Sequence, residues 1–130
     1  MHRTAAPGDI DDLGHVNNAV YVQWIQEVAI AHWRSLAPRE MQDATLWVIV
    51  RHEIDYRRPT HVGEQVMLTT WVGSPHGARF DRFVHITGPA GDVRVEARTF
   101  WALLDRASGR PVRVTPALAR LFLEPSPPAS

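Results

Sequence analysis

The apolar pattern of the chain changes period once, from helical to alternating. Residues 19–33 carry apolar side chains around most of a helical circumference, which predicts a helix wrapped by other structure. Asn17 or Asn18 can cap its start, because an asparagine oxygen accepts a hydrogen bond from an unpaired first-turn amide. Ala37-Pro38-Arg39-Glu40 stops it. From residue 46 the pattern alternates and predicts four strands, at about 46–56, 66–72, 78–87 and 93–103. In the first strand the alternation puts Val48, Val50, Ile54 and Tyr56 on one face and Trp47, Arg51, Glu53 and Asp55 on the other. Turns are expected at 73–77, 88–92 and 105–110, where glycine, proline, serine and aspartate cluster.

The remaining segments are short. Residues 1–6 can form a small strand, residues 7–14 read as a Gly/Asp-rich loop, and Thr115-Pro116 has the cap-then-proline form that opens a helix through residue 123. The sum is an α+β chain of 130 residues, expected as a single domain over 1–124 with a Pro/Ser-rich tail at 125–130. One helix covers one face of such a sheet. The outer face and edges need protection, most simply by a second copy, so a homodimer or homotetramer is expected.

Composition removes several classes of function. The formal charge is zero, with no basic excess to hold a nucleic-acid backbone, so a nucleic-acid partner is not expected. All 14 basic residues are arginine, which excludes lysine Schiff-base chemistry and suits bidentate recognition of phosphates such as those of a nucleotide-bearing cofactor. There is no cysteine, hence no disulfide, thiolate nucleophile or sulfur-ligated zinc. No apolar run approaches the roughly 20 residues of a membrane span, and residues 1–7 lack the apolar core of a signal peptide. The expectation is a cytoplasmic protein with no membrane partner. His32, His52, His61, His76 and His85 have no metal-ligand spacing, no metal site is expected, and no serine sits in a Gly-x-Ser-x-Gly elbow.

Chemistry concentrates in Asp9-Ile10-Asp11-Asp12-Leu13-Gly14-His15-Val16-Asn17-Asn18-Ala19-Val20-Tyr21, where carboxylates precede a glycine and a helix start. A helix N-terminus presents unpaired amides able to stabilise an oxyanion, and a nearby carboxylate can attack or activate water. On spacing alone the competing reading, a turn followed by capping asparagines, stands ahead of catalysis.

This stretch closely resembles the Asp-x-Asp-x-x-Gly-His-Val-Asn-Asn-x-x-Tyr signature of the 4-hydroxybenzoyl-CoA thioesterase-like branch of the hotdog superfamily. Tyr56-Arg57-Arg58-Pro59, Val62-Gly63-Glu64 and Gly109-Arg110-Pro111 extend the resemblance over most of the chain. It implies a hotdog fold, with an antiparallel sheet around a long central helix. It also implies hydrolysis of an acyl-CoA thioester, with coenzyme A as part of the substrate and no other cofactor. Carried over by position, Asp11 is the catalytic carboxylate, as nucleophile or general base, and Asn18 supplies the backbone amide for the thioester oxygen. Gly14, His15, Asn17 and Tyr21 fall on substrate-lining positions, with capping for Asn17 and core packing for Tyr21 as standing alternatives. Many relatives carry a helix glutamate and arginine where this chain has Gln26 and Ala29. Glu27 lies about 100° away around the helix and does not replace that acid. Arg57 and Arg58 are candidates for a coenzyme A phosphate against the alternative of solvated loop arginines, and Trp47, Trp71 and Trp101 are left without a function. Two rival readings keep the fold: hydrolysis of an acyl group on acyl carrier protein, and non-catalytic binding of an acyl thioester.

Overall fold

The computed structural model describes residues 1–123; the expected tail at 125–130 lies outside them. The elements are strand β1 (His2–Thr4), a single 3₁₀ turn (Pro7–Asp9), helix α1 (Asn18–Leu36), helix α2 (Arg39–Ala44), strands β2 (Thr45–Tyr56), β3 (Gln65–His76), β4 (Arg79–Thr87) and β5 (Val93–Asp105), and helix α3 (Pro116–Leu121). All strand pairings are antiparallel, in the order β1-β3-β4-β5-β2. The sheet packs one face on α1, the α+β hotdog arrangement that the resemblance implied.

Alternation decides which side chains meet the helix. Phe80, Val84 and Ile86 of β4 and Val95, Ala97, Trp101 and Leu103 of β5 are buried, and the register sets Phe80 opposite Trp101 and Ile86 opposite Val95. From α1, Tyr21, Trp24, Ile25 and Val28 form one cluster with Val84, Ile86, Val95 and Ala97. Each fully buried aliphatic side chain of this kind stabilises the fold by about 1.5–3 kcal/mol. A second cluster lies toward the other end of α1, where Phe80, Leu103, Val114, Leu118 and Phe122 meet Trp33 and Trp47. The expected cap of the last helix is present, with the Leu118 amide donating to Thr115 Oγ1 at 3.1 Å.

Three expectations about elements need correction. Trp47 shares the helix-facing side of β2 with Ile54 instead of opposing it, because the register slips between Ile49 and Arg51. Val50 occupies this bulge and is 54% exposed. A bulge adds a residue to one strand and inverts the alternation beyond it, which a simple two-residue period misses. Likewise β3 continues through the expected turn at 73–77, with a second bulge between Val72 and Pro75, a position where proline's missing N–H is tolerated. The reversal is confined to Gly77-Ala78, with Gly77 at φ 63°. Finally, the connection after Pro38 contains α2, too short to leave a periodic signature.

Candidate active site

The segment from Ala5 to Asn18 is a closed loop built from backbone hydrogen bonds. Asn17 N–H donates to the Asp9 carbonyl (2.8 Å), Asp11 N–H to the His15 carbonyl (2.9 Å), and Gly14 N–H to the Asp11 carbonyl (3.0 Å). Ile10 and Val16 form an isolated antiparallel bridge across it. Gly14 turns the chain at φ 80°, in the left-handed region where a side chain is strained. The Asp11 Oδ1 accepts from the amides of Leu13 (2.9 Å) and His15 (3.4 Å). The carboxylate is thereby held in place by the loop it belongs to, beside the point where α1 begins.

At that point the two asparagines divide the backbone. Asn17 is the cap, its Oδ1 accepting from the Ala19 amide at 2.9 Å. Asn18 is the first helical residue, and its own N–H has no hydrogen-bond partner among the described residues. His15 lies half-buried against His61, ring centroids 5.3 Å apart at near right angles. Tyr21 is placed in the core, 3% exposed and packed edge-on to Trp24 and beside Tyr56. Its hydroxyl is buried without a hydrogen-bond partner, and burial pushes its pKa up. The structure therefore brings Asp11, Gly14, His15, Asn17 and Asn18 together in one loop and sets Tyr21 below it.

The loop rests on a second segment that the motif alone did not reveal. Val16 N–H donates to the Thr60 carbonyl (2.9 Å), the Ala5 and Gly63 backbones exchange hydrogen bonds with residues 64 and 5, and Thr60 is fully buried. Arg94 of β5 clamps this segment. Its Nη1 donates to the Pro59 carbonyl (2.8 Å) and Thr60 Oγ1 (3.2 Å), its Nη2 to Glu64 Oε2 (3.0 Å), and its Nε to Asp92 Oδ2 (2.6 Å). The Arg94 hydrogen bond, with the His61 amide as second donor, holds the Glu64 carboxyl down to about 2. Glu64 was visible in the sequence beside Gly63, but its partner lies 30 residues away and no local spacing announces it.

Other candidates are already engaged. Glu27 pairs with Arg3 of β1 (2.9 Å) and accepts from Gln23, so it faces away from the loop, consistent with its angular position. Arg57 pairs with Glu96 at 2.8 Å, while Arg58 is exposed. Trp47 and Trp101 are in or beside the core, and Trp71 is stacked on Phe83 across the sheet. No group of three or more metal-ligating side chains occurs among the described residues.

A model of the thioesterase-like superfamily matches residues 5–122 of the chain. The chain belongs to this family. YneP of Bacillus subtilis (strain 168), provisionally named an acyl-CoA thioesterase, is 27% identical over 108 residues, which cover 81% of this chain and 78% of that protein. Among solved structures, a thioesterase of Thermus thermophilus complexed with coenzyme A and zinc superposes with a TM-score of 0.82 at 23% identity, covering 94% of this chain and 89% of its own. YbaW of Escherichia coli, described as a probable thioesterase, gives 0.82 at 22% identity over 95% and 98% of the two chains. These structural likenesses establish the hotdog fold. Together with the family match, the thioesterase relatives assign the chain to the thioester hydrolases. No helix among the described residues is long and apolar enough to cross a membrane.

Proposed function

We propose that this chain hydrolyses an acyl-CoA thioester, with Asp11 as the reacting carboxylate and the Asn18 backbone amide as the oxyanion donor. The observation that carries this reading is the unpartnered Asn18 N–H at the start of a 19-residue helix, beside a carboxylate fixed by two amides. As general base, Asp11 takes a proton from water as the water oxygen bonds to the thioester carbon. The carbonyl oxygen gains the negative charge and accepts from Asn18 N–H, where the helix end favours it. Collapse of this intermediate breaks the carbon–sulfur bond and releases the coenzyme A thiolate, which is then protonated. As nucleophile, Asp11 would instead bond to the carbonyl carbon, expel the thiolate, and be freed from the resulting anhydride by water. Neither route uses a metal or redox cofactor.

In this reading Gly14 and His15 line the substrate, Asn17 keeps the helix start ordered through its cap, and Tyr21 supports it from the core. The CoA carrier is favoured by the acyl-CoA name of YneP and by the coenzyme A in the Thermus complex. A second copy is expected along β2, an unpaired edge of twelve residues that exposes Leu46 (41%) and Val50 (54%). The reaction is tested by following free thiol release from short, long and aromatic acyl-CoAs and from the same acyl groups on acyl carrier protein. Turnover on coenzyme A supports the reading. Turnover confined to the carrier protein replaces the substrate, and tight binding without product favours a non-catalytic role.

A further inference from the structure

A cavity of the molecule lies away from the Asp11 loop. It has a volume of about 540 Å³ and lies between the second half of α1, α2, the beginning of β2 and the adjoining ends of β4 and β5. None of residues 5–21 lines it, and Ala29, its first wall residue on α1, is about 16 Å along the helix from Asn18. Trp33, Trp47, Phe80, Trp101 and Phe122 contribute aromatic wall, with Ile30, Leu46 and Val72 beside them. Trp33 stacks on Phe122 (20°) and Trp47 on Phe80 (25°), which makes this part of the lining a rigid aromatic wall.

One cation sits in this aromatic shell. Arg82 projects from β4 on the helix side and is 5% exposed. Its Nη1 donates to His32 Nδ1 (3.0 Å) and Thr70 Oγ1 (2.9 Å) and its plane stands over the Phe122 ring (5.4 Å), while Nε and Nη2 have no hydrogen-bond partner among the described residues. Neither partner carries a negative charge. Burial, reinforced by the guanidinium, holds His32 down to about 4, so the ring is neutral near pH 7. Neighbouring Asp81 is taken by Arg98 at the sheet's outer face. At the cavity rim the one acid, Asp43, is paired with Arg39, and Arg34 and Arg106 add further positive charge. An uncompensated buried guanidinium is unfavourable, and its planar fork matches a carboxylate. A hydroxyl could accept from it but would leave its charge unbalanced.

We propose that this cavity binds a small aromatic carboxylate, with the ring system against the aromatic wall and the carboxylate on the free edge of Arg82. The site does not depend on the assignment of Asp11, because binding needs no hydrolysis. It is tested by calorimetric titration of the full-length protein with 2-naphthoate and, separately, with its neutral counterpart 2-naphthamide. The acid is expected to bind saturably and at least about tenfold more tightly than the amide, as a charge-assisted pair requires. Arg82→Gln is expected to bring the acid down to the level of the amide. The comparison of acid with amide on the unmodified protein stands even if that variant fails to fold. Equal affinity of the two compounds, or no saturable binding of the acid at millimolar concentration, would overturn the proposal.

Discussion

The two ends of α1 each contain a buried arginine, and the contrast between them separates a structural device from a receptive one. At the N-terminal end Arg94 is 7% exposed and answered by Glu64, Asp92 and two oxygens of the 59–60 segment. At the C-terminal end Arg82 is 5% exposed and answered by a neutral imidazole, a hydroxyl and the face of the Phe122 ring, none of them an anion. Burial is alike, so the difference lies in compensation. A closed ion-pair network fixes backbone position, whereas a half-satisfied cation beside an open aromatic cavity retains capacity for a ligand.

Breaking the closed network should produce the largest effect on stability. Arg94→Met leaves Glu64 and Asp92 without their shared partner; both are partly exposed, so water offsets some of the loss and about 2–3 kcal/mol is expected. Thermal denaturation would show it, and an unchanged melting midpoint would mean that the clamp is not holding the 59–64 segment. A smaller effect is expected at Asn17→Ala, about 1 kcal/mol from loss of the α1 cap, measured by urea unfolding.

The pH dependence sharpens the contrast further. Glu64, depressed to about 2 chiefly by its Arg94 hydrogen bond, contributes stability that is complete above the ordinary carboxylate range and is lost as pH falls through about 2. Glu64→Gln should flatten the stability profile in that acid window. His32 behaves as a depressed base: the unfolded ring accepts a proton near 6.5, the native ring only near 4. Its contribution is therefore complete above pH 6.5 and erodes as pH falls toward 4. His32→Gln, which keeps an acceptor for Arg82 but cannot titrate, should remove this second slope. Persistence of the slope would place its origin elsewhere.

The same two ends differ in how far they could be read beforehand. The N-terminal end is a local construction, with cap, glycine turn and carboxylate within Asp9–Asn18, so its residues stand together in the sequence and the resemblance could rest on them. Helix α1 and the four main strands followed from the hydrophobic period, and the Thr115 cap from its Thr-Pro pair. The C-terminal end is assembled from five separated segments, and its key face is displaced by the Val50 bulge. Trp47 consequently read as sharing a face with Arg51, Glu53 and Asp55, and nothing in the sequence singled out Arg82. Its inward placement depends on β4 register against β5, which sets Arg82 opposite the buried Thr99. The Arg94–Glu64 pair was hidden for the same reason, being long-range in sequence.

The central claim, that hydrolysis belongs to the N-terminal loop, is tested most directly by kcat for acyl-CoA hydrolysis in Asp11→Asn. Asparagine keeps an oxygen for the Leu13 and His15 amides, so the loop and its melting midpoint should be retained. With the base or nucleophile gone, kcat should fall by about 10²–10⁴-fold. A normally folded Asp11→Asn protein with the turnover of the parent would contradict the account.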